Sequence, residues 1–304
     1  MLNGFTPPHR FLHYLSWPQI TKLPDRENTV IVLPVGSIEQ HGPHLPCAVD
    51  TLIAAGVVGH ALARLPDSVP AFGMSPICYG KSDEHIHFPG TVTIAGETLL
   101  NTVIDIGESV YRAGFRKLLI VNGHGGQPQV MEMAARELRV RHGDYTIIPH
   151  FTWRVPHVAG KFLSAKEKRL AMHAGHAETA IIMALAPETV NMSAAVAAYP
   201  PEFPSKTMSP DGRVAAAWTA RDFGPSGVIG DPMGATREQG LEILDSLAAS
   251  WAQAITDFHQ MQWVVRDDVS WGTSNQTGDI VHQMTEDRSP KTATAITHES
   301  ETRE

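Results

Sequence analysis

The chain has 304 residues, 42% of them hydrophobic and 18% charged, which is ordinary globular composition with enough apolar material for one large α/β core. Its formal net charge is -8 and it contains no Lys/Arg-rich block, which argues against a nucleic-acid binder. The two cysteines, Cys47 and Cys78, make no disulfide framework and fit a reduced cytoplasmic setting, the N-terminal stretch lacks the apolar core of a signal peptide, and no membrane span is expected.

Residues 29–35, Thr-Val-Ile-Val-Leu-Pro-Val, form a β-branched apolar run that ends at Gly36 and reads as a buried strand of a parallel sheet. Asp50 as N-cap and Pro66 as stop predict a helix over 50–65. A second strand is expected over 70–77, and the His- and Gly-rich stretch from Gly80 to Gly90 reads as a loop. Leu100, Val103, Ile104, Val110 and Tyr111 recur at helical spacing between Glu97 and Gly114, with Gly114 at C′. Lys117–Val121 is a further buried strand, followed by a Gly-rich turn and a helix over about 127–141. Residues 144–151 are strand-like, and 175–186 is helical up to Pro187. A long helix over roughly 236–261 places Leu241, Leu244, Leu247, Trp251 and Ile255 on one face.

Strands alternating with helices imply βαβ units and a mostly parallel sheet. The expected organisation is a single domain over 1–265 and a polar, partly disordered tail over 266–304, where apolar residues become sparse. In such sheets ligands sit outside the carboxyl ends of the strands. The segments 36–50, 80–90 and 122–126 all follow strands there, and each carries histidine or carboxylate.

Glu39 and His41 are two apart, so in extended chain both side chains face the same way. Asp50 follows at a helix start, where an anion is favoured. Carboxylate, imidazole and carboxylate form a ligand set suited to zinc, manganese or iron rather than a thiolate-loving metal. Singly, each such residue is more often a solvated or hydrogen-bonded side chain than a ligand; their convergence with two further segments favours chemistry. In Asn122-Gly-His124-Gly-Gly126, glycines allow close backbone approach to a ligand, and the spacing matches neither GxGxxG nor a Walker sequence. In His173-Ala-Gly-His-Ala-Glu178, Glu178 falls in the first turn of a helix, and His176 reads as a surface residue. The segment 80–91, with Ser82, Glu84, His85 and His87, either lines the site or is a capped turn; His44, Cys47, Trp153 and Trp218 are similarly open.

Taken together, the segments LPVGSIEQHGPHLPCAVD (33–50), GKSDEHIHFPGT (80–91), VNGHGG (121–126), HAGHAET (173–179) and SGVIGDP (226–232) resemble the creatininase, or creatinine amidohydrolase, family over about residues 28–260. The resemblance implies a three-layer α/β/α fold with a mostly parallel central sheet, a homohexamer and a binuclear metal centre. It implies that Glu39, Asp50 and His124 hold one metal, that His41 and Asp50 with a further carboxylate hold the other, and that Asp50 bridges. Creatininase carries His-Tyr-Glu where this chain has His124-Gly125-Gly126, so Glu178 is the replacement carboxylate; creatininase also has a substrate-covering Trp where this chain has Arg169. Both departures argue against creatinine itself as substrate.

The expected activity is therefore hydrolysis of a C–N amide bond in a cyclic amide, formamide or small peptide-like substrate, using two divalent ions (zinc, manganese or iron), with His173 as general acid. Ring-opening of a cyclic ketone such as an inosose derivative, and a non-catalytic metal-binding role on the same scaffold, are the alternatives.

Overall fold

The computed structural model of the protein describes residues 2–200, 208–209 and 214–262; the polar segment expected over 266–304 lies outside them. In chain order the main elements are α1 (Trp17–Thr21), β1 (Val30–Val35), α2 (Val49–Arg64), β2 (Ala71–Gly73), α3 (Gly96–Arg112), β3 (Lys117–Asn122), α4 (Pro128–Arg141), β4 (Thr146–Phe151), α5 (Ala165–Leu170), α6 (His176–Leu185) and α7 (Arg237–Gln260). Helices α1 and α5 are too short to leave a periodic signature in the sequence.

The four strands form one parallel sheet in the order β2-β1-β3-β4. Every residue of β1 and β3 is buried, as a central parallel strand covered on both faces must be. Alternate side chains go to opposite layers. Val30, Val32, Leu119 and Val121 join the core under α2, α6 and α7, whereas Ile31, Leu33, Val35, Leu118 and Ile120 join the core under α3 and α4. The result is the three-layer α/β/α arrangement, with the sheet wholly parallel.

Strand order decides where a ligand can go. The chain leaves β1 through α2 towards β2 on one side, and leaves β3 through α4 towards β4 on the other. The carboxyl ends of β1 and β3 therefore feed loops that diverge, which opens the crevice used for binding in open α/β sheets. No helix among the described residues is long and apolar enough to cross a membrane.

Three local expectations change. The second strand stops at Gly73, because Pro76 has no N–H for the ladder, and Ile77 regains the sheet only through a single bridge to Val35. Asp50 is not an N-cap: α2 begins at Val49 after Ala48, and the Asp50 carboxylate is engaged across the crevice instead of by first-turn amides. Leu241 is 42% exposed, beside His60 and Arg64 at a surface depression, while Leu244, Leu247, Trp251 and Ile255 are buried as expected.

Helix α7 is closed at its start by a reciprocal cap, Gln239 N to Thr236 Oγ1 (3.3 Å) and Thr236 N to Gln239 Oε1 (3.0 Å). One turn on, Gly240 lies directly against the Ala180 carbonyl of α6, where a Cβ would collide with backbone. Helix propensity alone makes Gly240→Ala stabilising by up to ~1 kcal/mol. The collision cannot be relieved by a rotamer change and costs roughly 1–3 kcal/mol, so net destabilisation of the protein in urea unfolding is expected. A more stable G240A protein would contradict this packing.

Candidate metal centre

The loops after β1 and β3, the first turn of α2 and the turn into α6 deliver a dense polar cluster to the crevice. Glu39, His41, Asp50, His124 and His173 are all buried, and Glu178 is partly buried beside them. Asp50 sits at the centre. Its Oδ2 is 3.1 Å from His124 Nδ1, and its Oδ1 is 3.5 Å from His41 Nε2. Glu39 Oε2 lies 3.0 Å from the same His124 Nδ1. The single proton of Ser37 Oγ lies between both carboxylates, with Asp50 Oδ2 at 2.5 Å and Glu39 Oε2 at 3.1 Å.

Two ligand-like groups result, Glu39–Asp50–His124 and His41–His173–Glu178, each with donor atoms within 4.8 Å of one another. Glu39 and His41 thus face two adjacent points rather than the single point expected from their i, i+2 spacing, because the chain after Gly36 is irregular rather than a strand. His173, expected near but outside the ligand set, stands inside the second group. A third group, Glu39–His85–His173, overlaps both.

The charge state of the cluster follows from its burial. Burial disfavours the charged form of Asp50, but the charge of His41 and the hydrogen bond from His124 outweigh it and hold the carboxyl well below the usual range. His41 loses by burial and gains more from Asp50, which lifts its pKa to about 9. His124 is raised in the same way, by Glu39 and by hydrogen bonds to Asp50, Glu39 and Glu84. Glu178 is pushed up to about 7 by burial, with Asp50 adding to the rise, although Ala174 N donates to its Oε2 at 2.6 Å. His173 goes the other way: burial, then the neighbouring charges of His41 and His85, keep it well below the ordinary histidine value.

These residues fit a metal by their own chemistry. His41 Nε2 is buried and accepts or donates no hydrogen bond, an expensive arrangement unless the lone pair has a ligand to serve. Three imidazoles and three carboxylates suit borderline divalent ions.

Several residues set the rings. Gln40 Oε1 accepts from Gly42 N (2.8 Å), so its amide nitrogen donates, to Gly227 O (3.1 Å) and to His85 Nδ1 (2.8 Å). His85 therefore carries its proton on Nε2, which points at Glu39 Oε1 at 3.3 Å. His173 Nε2–H donates to Gln40 O (2.6 Å), which leaves the Nδ1 lone pair turned into the site. His85, from the 80–91 segment, is thus buried beside Glu39. Trp218 stands edge-on to His85 with ring centroids 6.3 Å apart, Trp153 packs on the core, and Arg169 is exposed. His44 Nε2 meets Thr179 Oγ1 at 2.9 Å, tying the loop after β1 to α6.

His176 is not a surface residue. It is buried at the start of α6, with Nε2 2.8 Å from Gln239 Oε1. Its backbone N–H goes to Glu167, a buried carboxylate that the sequence gives no reason to single out. Glu167 also accepts from Asp231 N (2.9 Å) and Tyr199 Oη (2.8 Å), and so holds the turn that carries His173 and Glu178. In that turn Ala174 adopts φ 53°, a left-handed conformation uncommon for a side-chain-bearing residue.

Comparison with known proteins follows the same outline. The creatininase family model, described as creatinine amidohydrolase, matches residues 13–255. A mycofactocin precursor peptide peptidase of Mycobacterium ulcerans is 36% identical over 225 residues, covering 70% of this chain and 79% of that protein. The creatinine amidohydrolase of Pseudomonas putida is 30% identical over 263 residues, covering 81% and 96%. Among solved structures, the manganese form of creatininase superposes with a TM-score of 0.65 at 28% identity, covering 82% of this chain and 98% of that one.

Glu167→Ala would strand one buried and one part-buried N–H group and a phenol, each bonded to its carboxyl oxygens. A loss of about 2–4 kcal/mol in denaturant unfolding is expected, with Glu167→Gln intermediate. A loss under about 1 kcal/mol would mean that Glu167 does not hold this turn.

Proposed function

The chain belongs to the creatininase family and is a metal-dependent hydrolase, and from that premise we propose that it cleaves a C–N amide bond with two divalent ions held by Glu39, His41, Asp50, His124 and Glu178. The observation that carries this reading is the placement of Asp50: one carboxylate oxygen faces His124 and the other faces His41, so that this one residue would help hold both ions. Zinc and manganese are the proposed ions, with iron the third candidate. A cytoplasmic homohexamer, with no nucleic-acid partner, belongs to the same proposal.

The substrate class proposed is a short peptide-like amide first, and a cyclic amide or formamide next. The mycobacterial relative supports the first by its name, since it is described as a peptidase of a precursor peptide.

Bound ions would supply a water whose pKa falls from ~15.7 to about 7 and would polarise the scissile carbonyl. The chain's own part is to hold those ions and to move a proton. His173 is neutral in its surroundings, and its Nε2–H is committed to Gln40 O. Its Nδ1 is therefore free to take the proton released as the water attacks. The same Nδ1 then gives that proton to the departing nitrogen as the C–N bond breaks, which is the general-acid step. His85, by donating to Glu39 Oε1, keeps that carboxylate oriented towards His124.

Two outcomes test this. A chelator should abolish amide hydrolysis, and restoring two equivalents of zinc or manganese should return it. In that holoenzyme His173→Ala should lower kcat by roughly 10²–10⁴ while both ions stay bound. Loss of one ion in H173A would make His173 a ligand instead.

The second outcome concerns pH. His41, lifted to about 9 without metal, holds a proton at pH 7 that a metal must displace. That raised value stabilises the metal-free fold fully below about pH 6.5, and the contribution fades as pH rises through about 9. Metal affinity should accordingly rise by at least about tenfold per pH unit across that window, the His41 proton being one of those released. A flat profile in competition titrations between those limits would rule out His41 as a ligand.

A further inference from the structure

We infer that Glu84 is a positioning residue of the metal centre: its carboxylate receives the Nε2–H of His124 and fixes the ring with Nδ1 towards Glu39 and Asp50, in a space that glycine at 126 leaves open. The inference rests on the metal centre proposed above.

His124 has two ring nitrogens with different tasks. Nδ1 lies 3.0 Å from Glu39 Oε2 and 3.1 Å from Asp50 Oδ2, so it is the atom placed to meet a metal. It can do so only if the ring proton sits on Nε2. Nε2 points away, to Glu84 Oε1 at 3.2 Å, Lys81 O at 3.0 Å and Ser82 Oγ at 3.4 Å. The Lys81 carbonyl could hold the proton by itself. Glu84 adds a full negative charge, which strengthens the hydrogen bond and makes Nδ1 a better donor.

The surroundings leave that charge directed at the ring. The Glu84 side chain is only 10% exposed, and its Oε2 is buried without a hydrogen-bond partner. Lys81 Nζ is 3.6 Å from Oε2 but 2.5 Å from the exposed Asp83, which draws it outward. The partner that holds this buried carboxylate is therefore the His124 ring, with Lys81 further off.

Gly126 completes the argument. A Cβ at this position would fall on Glu84 Oε1 and crowd His124 Nε2. A side chain at 126 and the Glu84 carboxylate therefore compete for one space. This links the GHGG turn after β3 to the 80–90 loop in a way that neither segment reveals alone.

The test is titration of the full-length, metal-stripped protein with Co(II), read by its visible absorption, and with Zn(II) in competition with a chelator. Wild type should take up two ions. Glu84→Gln should weaken one of the two by roughly 10–100-fold and leave the other unchanged. Glu84→Asp, which keeps the charge but draws it back from the ring, should reproduce that single weakened step, and decides the matter if E84Q does not fold. Asp83→Asn should bind as wild type. Affinities in E84Q and E84D within about twofold of wild type at both sites, or an equal loss in D83N, would overturn the role of Glu84. A wild-type protein that binds no ion would instead overturn the metal centre itself.

Discussion

The site depends on one buried carboxylate serving two neighbours at once. Asp50 reaches His124 with one oxygen and His41 with the other, and Ser37 holds it from the β1 side. Such a group is stable in a low-dielectric crevice only if positive charge surrounds it. In the metal-free chain that charge comes from the two imidazoles, both lifted towards the protonated form. Divalent ions would replace those protons, so the same carboxylate explains the burial, the raised histidines and the coupling of metal uptake to proton release.

The rest of the structure places and braces that carboxylate. The strand order sends the chain in opposite directions from β1 and β3, and the crevice so formed receives Glu39 and His41 from one loop and His124 from the other. Helix α2 brings Asp50 in its first turn. Around them lies a layer of polar residues with no ligand role. Gln40 sets the tautomers of His85 and His173, and Glu167 pins the turn before α6. Each is buried and satisfied by backbone as well as side-chain partners, which is how a site holds its geometry before anything binds.

Much of this was legible in the sequence. Short apolar runs such as 118–121, bounded by turn signals, read as strands covered on both faces, and helical spacing marked α3 and α7. The motifs around Glu39, His124 and Glu178 stood out because histidine and carboxylate recur where strands end. What was not legible depends on contacts between distant segments. Glu167 lies in Ala-Lys-Glu-Lys-Arg-Leu, a charged run that reads as a solvated face, and only the fold buries it against Gly175 and Gly230. His176 looked solvent-facing until α7 covered it. Asp50 had the form of an N-cap, but tertiary partners for its carboxylate overrode the local preference. The place of Glu84 depended on the missing side chain at 126, an absence that no motif records.

The most direct test of the account is anomalous diffraction from crystals of the protein loaded with zinc or manganese. Two peaks are predicted on either side of the Asp50 carboxylate, one within ligand distance of Glu39 and His124 and the other of His41 and Glu178. A single peak among Glu39, His85 and His173, or ions bound without Asp50, would contradict a centre built on a shared carboxylate.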